Sequence, residues 1–233
     1  MKALDLSSHL RDLFSLLDIG CVFDVGANTG QYRNFLREHV DYKGMILSFE
    51  PVSSLADQMM KKVDDDPGWK VFQLALGSLN STRSINIMKG STLNSFLEPT
   101  SSATKELDAD NKVLHREPVH VKTLDTFLKE FDPHGTLPRI FLKMDTQGFD
   151  LEVLKGAQES LPRISALQSE ISVLPIYRDM PNYHESIDRF QKDGFDVTGM
   201  FPVTRDRWLR VLEFDCVAIN RAFIGEKGQS ETR

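Results

Sequence analysis

Two acids set beside glycines carry the first chemical signal in this chain. In CVFDVGANTGQY, Cys21 to Tyr32, an apolar run reaches Asp24 and then turns through Gly26, Ala27, Asn28 and Gly30. Glycine adopts left-handed backbone freely and, lacking a side chain, lets a ligand approach the main chain. A P-loop needs Gly-Lys followed by Ser or Thr, but Gln31 follows Gly30, so phosphoryl transfer is excluded. A dinucleotide fingerprint needs glycines at its first, third and sixth positions. Counted from Gly26 the third is Asn28 and the sixth is Gln31, so that match fails too. What remains is Asp-x-Gly-x-Asn-x-Gly, with an acid before the turn that can accept a hydrogen bond from an ammonium group or an ordered water.

The second acid, Glu50, ends MILSFE about 20 residues beyond Gly30 and just before Pro51. Nucleotide-binding α/β folds place an acid there on the hydroxyls of a ribose. The plainer alternative is a surface acid at the start of the next helix, where negative charge is also favoured. A ribose acid, an acid before the turn and no pyrophosphate pattern together fit S-adenosylmethionine. That molecule has a ribose, an adenine, a charged amino-acid tail and no phosphate.

Further ionisable residues stand at later strand ends. Asp145 closes RIFLKMD, with Lys143 two residues earlier on the same strand face, and Glu170 lies in LQSEIS. In an α/β sheet, ligands gather at the carboxyl edge of the strands. Asp145 is therefore the first candidate for a base or for orienting an acceptor, against a helix-capping role. A lysine in a buried strand needs a partner, and Asp145 or a substrate carboxylate would serve. Glu170 could bind acceptor hydroxyls or act as the base. His120 reads as structural, while His115 and His184 fall in irregular segments. Tyr177, Tyr183 and Trp208 could stack on an acceptor ring or pack a lid.

The elements that must position these residues follow from the apolar pattern. The opening 19 residues carry Leu4, Leu10, Leu13, Leu16 and Leu17 at helical spacing, interrupted by acids, which predicts a packing helix rather than a secretory signal. CVFDV, KGMILSFE, WKVFQLALG, RIFLKMD and ISALQSEIS read as buried strands, the first four followed by helical patterns or by the change of rhythm at STRSINIMKG. That order predicts a parallel sheet with right-handed crossovers. The runs FDVTGMFPVT and WLRVLEFDCVAIN, joined by the charged turn RDR, predict an antiparallel hairpin that brings the sheet to seven strands. Residues 90–117 and 173–185 are irregular and are expected on the substrate side. Residues 225–233 lack apolar content and are expected to fray. No linker divides residues 1–233, so one domain is expected.

The chain of 233 residues has 34 acidic and 28 basic side chains, a formal charge of −6. No lysine and arginine cluster offers itself to a phosphate backbone, so nucleic acid is not expected as a partner. No run approaches the roughly 20 apolar residues of a membrane span, and the expected address is the cytoplasm. Cys21 and Cys216 stand in apolar settings and read as small buried hydrophobes.

The motifs VFDVGANTGQY, FEP, LALGS and above all FLKMDTQGFDLEVLKGA resemble those of the FkbM-type methyltransferases, over about Val22 to Asn220. The resemblance implies an α/β class I methyltransferase Rossmann-like fold with a mostly parallel sheet of order 3-2-1-4-5-7-6. It implies S-adenosylmethionine as donor, S-adenosylhomocysteine as product, and O-methylation of a small hydroxylated acceptor such as a sugar or polyketide. It carries the donor loop onto Asp24, Gly26, Asn28 and Gly30, the ribose acid onto Glu50, and the segment beside the adenine onto Ala75, Leu76 and Gly77. The STLNS run, Ser91 to Ser95, resembles a small-polar turn near the site. Gln147 and Asp150 stand where many relatives carry Glu, which weakens any case for a metal beside Asp145. The rival readings are an NAD-dependent Rossmann oxidoreductase, which lacks its glycine pattern here, and a non-catalytic nucleoside-binding protein.

Overall fold

The computed structural model describes residues 5–100 and 110–225. The chain opens with α1 (Leu6–Leu17), whose N-cap Asp5 accepts a hydrogen bond from the Ser8 amide at 2.9 Å. The helix buries Leu10, Leu13, Phe14 and Leu17. Leu16, counted with the packing leucines from the sequence, faces solvent instead, because Phe14 completes the apolar stripe at helical spacing.

The first half continues as β1 (Cys21–Val25), α2 (Gln31–Phe35) prolonged by a π-helical turn, β2 (Met45–Phe49), α3 (Ser53–Met60) and β3 (Trp69–Phe72). Then come β4 (Ala75–Leu76), β5 (Ser81–Met88), β6 (Val113–Lys122) and α4 (Leu124–Phe131). The second half is β7 (Ile140–Met144), α5 (Asp150–Lys155), β8 (Ile164–Ser172), α6 (Tyr183–Lys192), β9 (Phe195–Arg205) and β10 (Val211–Asn220).

Seven strands form one sheet in the order β3-β2-β1-β7-β8-β10-β9. The first five run parallel, and β10 is antiparallel to both β8 and β9. Counting only these strands, this is the 3-2-1-4-5-7-6 order, with the expected closing hairpin. Every residue of β1 and β7 is buried, as a strand covered on both faces must be. On one face Phe23, Leu47 and Leu142 pack with Phe127 of α4, Leu154 of α5 and Phe190 of α6. On the other, Val22, Ile46 and Phe141 pack with the α1 stripe and Met59 of α3.

Three local expectations change. The run WKVFQLALG is not one strand: β3 ends at Phe72, and Ala75–Leu76 joins a second sheet of order β4-β6-β5. The change of rhythm at STRSINIMKG marks β5, a strand of that second sheet, paired antiparallel to β6 over Ser81 to Met88. That pairing also draws Val113 to Glu117 out of the segment read as irregular and into β6. Of the 90–117 and 225–233 segments, residues 101–109 and 226–233 lie outside the described residues, as do residues 1–4.

Candidate active site

The carboxyl ends of β1, β2, β7 and β8, with the opening half of the antiparallel β10, border a cavity of about 540 Å³, within the range usual for small-molecule sites. Its lining includes Gly26, Ala27, Asn28, Glu50, Pro51, Ala75 and Leu76, and also Lys143, Asp145 and Glu170. Residues from distant parts of the sequence thus meet because parallel strands deliver their ends to one edge.

At one end the wall is apolar, with Phe49, Leu76, Ile85, Phe96 and Phe149 around Pro51 and Ala75. Glu50 stands beside it, almost wholly buried. Its two oxygens accept the amides of Asn28 at 2.8 Å and Val52 at 2.9 Å. The carboxylate therefore opens α3 as well as facing the cavity, and no side chain of its N-cap residue Val52 caps that helix. Burial pushes the Glu50 carboxyl up to about 7, against the two amides that stabilise its charge.

Gly26 has φ +80°, and a Cβ there would stand 2.0 Å from the Asp145 carbonyl oxygen. The glycine is needed so that β1 can turn against the end of β7, where the Asp145 amide donates to Val25 O at 3.0 Å. Gly30 does not line the cavity; at φ +86° it starts α2, with its α-carbon against the Trp69 ring. Both positions answer to the fold before any ligand.

Asp24 is the larger correction. Expected to grip a ligand directly, it is fully buried and absent from the cavity wall. Ser48, Asp24, Lys143 and Gln168 lie side by side across β2, β1, β7 and β8. Ser48 Oγ donates to Asp24 at 3.1 Å and itself accepts from Trp69 Nε1 at 3.0 Å. Lys143 Nζ donates to the other Asp24 oxygen at 3.1 Å. A buried carboxylate so fully paired has no reason to seek another cation. Lys143 also stands 3.6 Å from Asp145 and 5.0 Å from the centre of the Tyr32 ring. Burial opposes its charge, but Asp24 and Asp145 overcome that and hold its pKa above the ordinary lysine range.

The far end is crowded with acids. Asp145, Glu170, Glu213 and Asp215 all line it. Glu170 and Asp215 are register partners across β8 and β10, and Glu213 follows two residues away on the same face. Gln147 joins two of the acids: its Nε2 lies 3.0 Å from Asp145 Oδ1 and 3.0 Å from Glu170 Oε2. Burial raises Glu170 well above the usual carboxylate range, and the charges of Asp145, Glu213 and Asp215 raise it further. Burial likewise raises Glu213, and lifts Asp215 to about 6. Tyr32 donates to Gln168 at 2.7 Å, and Gln168 to Asp215 at 2.9 Å, so the buried row reaches the acids. Sequence reasoning missed Glu213, Asp215 and Gln147. The first two could have been noticed as alternate acids in the apolar run VLEFDCVAI, which a strand puts on one face.

The two irregular segments meet over this end. The Thr100 amide donates to Ile176 O at 2.9 Å and the Arg178 amide to Glu98 O at 2.8 Å. Met88, Ile176 and Tyr177 pack with Leu93, Leu97 and Met180. Tyr177 is buried, its hydroxyl 2.7 Å from Leu93 O and 3.1 Å from Gln147 Oε1, so it braces this cover and is not free to stack on an acceptor. Ser95 Oγ donates to Gln147 O at 2.8 Å, seating the STLNS turn on the same residue. Asp150 accepts from the Thr146 amide at 2.9 Å and from Ser169 Oγ at 2.6 Å, which spends it on the turn into α5. Asp145 does not cap α5. His115 pairs with Glu117, His120 is exposed, and neither these nor His184, Tyr183 and Trp208 reach the cavity.

The methyltransferase FkbM domain matches residues 24–197. Methyltransferase sdnD of Sordaria araneosa is 30% identical over 172 residues, which cover 66% of this chain and 66% of that protein. A SAM dependent methyltransferase from Aquifex aeolicus is similar over 91% of this chain and 88% of its own, with 16% identity and a TM-score of 0.45. Magnesium protoporphyrin IX methyltransferase from Synechocystis, solved with bound SAM, is similar over 94% and 86%, with 8% identity and a TM-score of 0.47.

Proposed function

The chain belongs to the FkbM methyltransferase family of S-adenosylmethionine-dependent enzymes, and on that premise we propose that it moves the methyl group to a hydroxyl of a small acceptor. The observation that supports this most is the division of one cavity into an apolar end with a buried ribose-type acid and an acidic end with a high-pKa carboxyl.

In this reading the adenine lies among Phe49, Leu76, Ile85 and Phe149, and Glu50 takes the ribose hydroxyls with the lone pairs its two amides leave free. Asn28 and the backbone of Gly26 and Ala27 border the amino-acid tail. The sulfonium and the ammonium of the donor suit a wall of carboxylates. Asp24 does not touch the donor; it fixes Lys143, and through it Asp145.

Methyl transfer to an alcohol is an in-line displacement. The hydroxyl oxygen forms the new bond to the methyl carbon, the carbon–sulfur bond breaks with its electron pair going to sulfur, and the hydroxyl proton needs a base. Alignment of the reactants supplies roughly 7–11 kcal/mol of such a barrier. Asp145 is tied to Lys143 and Gln147, whereas among the described residues Gln147 alone donates to Glu170. Glu170, whose proton affinity burial and neighbouring acids raise, is therefore the base, and Asp145 orients the acceptor. The acceptor, a sugar or polyketide hydroxyl, enters under the cover of residues 91–100 and 173–180.

Calorimetry with S-adenosylhomocysteine and with NADH tests the donor, and a panel of hydroxylated metabolites with labelled methyl donor tests the acceptor. The reading expects S-adenosylhomocysteine to bind and label to appear on oxygen. Binding of NADH alone overturns the donor assignment. Label found only on nitrogen or carbon overturns the acceptor class.

A further inference from the structure

The β9–β10 hairpin ends in a loop, Asp206 to Arg210, that the proposed reaction does not use. Asp206 organises it from within. Its carboxylate accepts the amides of Trp208 at 2.8 Å and Arg210 at 3.0 Å, and its Oδ2 pairs with Arg210 Nε at 2.7 Å. The Leu209 amide donates to Asp206 O and the Asp206 amide to Arg210 O. A loop bonded this way has a fixed shape, and that shape points its largest apolar side chains outward: Trp208 is 70% and Leu209 74% exposed. Leu209 sits at φ +64°, a backbone conformation unusual for leucine, and gains no burial there. Val203, on the neighbouring strand, is also exposed, as are Val173 and Leu174, whose amides reach Leu212 O at the start of β10.

Cations accompany them. Arg205, Arg207 and Arg210 are exposed, and the Arg207 guanidinium lies 5.2 Å from the Trp208 ring centre. Asp206 is spent on Arg210 and two amides, and Arg205 and Arg207 have no carboxylate within ion-pair distance among the described residues. The corner is thus positive on a chain whose formal charge is −6, and charges beyond about 8–10 Å are largely screened at ordinary ionic strength.

We propose that this tip seats the enzyme on an anionic lipid surface. An indole at headgroup depth beside guanidinium groups is the combination an interface of that kind holds. Trp208 and Leu209 stand exposed on the hairpin loop, so it suits a fluid layer into which they can sink better than a rigid partner, which would need a matching hollow. Its position gives the contact a purpose. Val203 and Thr204 belong to the cavity lining with Glu213 and Asp215, so seating the tip turns the acidic end of the cavity towards the headgroups. An amphiphilic acceptor would then reach the site from the membrane.

Co-sedimentation with vesicles of phosphatidylcholine plus phosphatidylserine, against phosphatidylcholine alone, tests the contact without donor or acceptor. It is therefore separable from the methyl-transfer reading. Binding is expected only with the anionic vesicles, with a blue shift in emission from Trp208; Trp69, buried and bonded to Ser48, should not respond. Each guanidinium near such a surface strengthens attachment roughly five-fold, so Arg205→Gln with Arg207→Gln should weaken it by about 25-fold. Trp208→Ala should abolish the blue shift. The proposal is overturned if the protein ignores anionic vesicles at low salt, or if it binds them equally without these side chains. It is also overturned if Trp208→Ala instead dissolves a self-association or the capture of an acidic protein.

Discussion

At the Glu50 end of the cavity one carboxylate is held by two backbone amides, whereas at the other end four carboxylates crowd together, with Lys143 beside Asp145, Gln147 donating to Asp145 and Glu170, and Gln168 donating to Asp215. The first arrangement is built from the turn after β1 and the start of α3, both anchored to the adjoining ends of β1 and β2. It is complete before a ligand arrives and presents a fixed acceptor of hydrogen bonds. The second depends on elements brought together from Lys143 to Asp215 and closed over by two loops. There burial and neighbouring charges raise the proton affinities of Glu170, Glu213 and Asp215. One end is suited to holding a constant part of the reaction, the donor. In the proposed reading the other is suited to moving a proton.

The sharpest division is between turnover and donor affinity. Glu170→Gln keeps the shape and removes the proton acceptor. It should lower kcat by roughly 10²–10⁴-fold, while the affinity for S-adenosylhomocysteine, measured by calorimetry, stays at its wild-type value. A variant with normal turnover would return the base to Asp145. In the wild type, turnover should climb as pH rises through the elevated Glu170 pKa, because only the ionised carboxylate accepts a proton.

Between the ends lies the buried row, and Lys143 is its only cation. Lys143→Met leaves the fully buried Asp24 without its cationic partner, which should cost about 3–5 kcal/mol of folding stability in urea unfolding. Replacing both, with Asp24→Asn, should restore part of that loss, since the uncompensated charge is then gone. If the single variant is as stable as the wild type, the row is not the support that joins the two ends.

How much of this could be read beforehand follows the same division. Gly26 and Glu50 mark the Glu50 end of the cavity in the sequence, because a strand, a glycine turn and a second strand tip are local patterns within one crossover unit. The five parallel strands and the closing hairpin are legible for the same reason, since apolar runs alternate with helical spacing and then double back; the order of the seven strands comes only from the family resemblance. The misreadings concern side-chain partners across the sheet. Nothing in DVGAN says that Lys143 will cover Asp24, and nothing in TQG says that Gln147 will bridge two carboxylates and carry the covering loops. The second sheet was hidden because β4 is only two residues long and β6 begins inside a polar segment. Such pairings are decided by register and packing, for which a single sequence supplies no local signal.

A smaller effect sharpens the donor end itself. Removing the acid altogether, in Glu50→Ala, deletes a charged hydrogen-bond partner and should weaken S-adenosylhomocysteine binding by about 1.5–3 kcal/mol. In the wild type the pH should reproduce part of that loss. Glu50 is raised to about 7 by burial, with the amides of Val52 and Asn28 and the charge of Lys143 pulling it down and Asp24 pushing it up. Ribose hydroxyls donate to the ionised form, so binding must first expel the proton wherever Glu50 holds one. Donor affinity should therefore be flat above pH 7 and fall below it, by up to about tenfold per pH unit. The folding sign runs the other way. A carboxyl whose native pKa lies above its unfolded value near 4.5 binds more protons when folded, so its contribution to the stability of the donor-free protein declines as pH rises from about 4.5 to 7. Asp215, lifted to about 6, shares that folding trend from the other end of the cavity. Comparing the wild type with Glu50→Ala isolates the part due to Glu50. If the two show the same pH dependence of donor binding, Glu50 does not meet the ribose, and the donor end must be assigned elsewhere in the cavity.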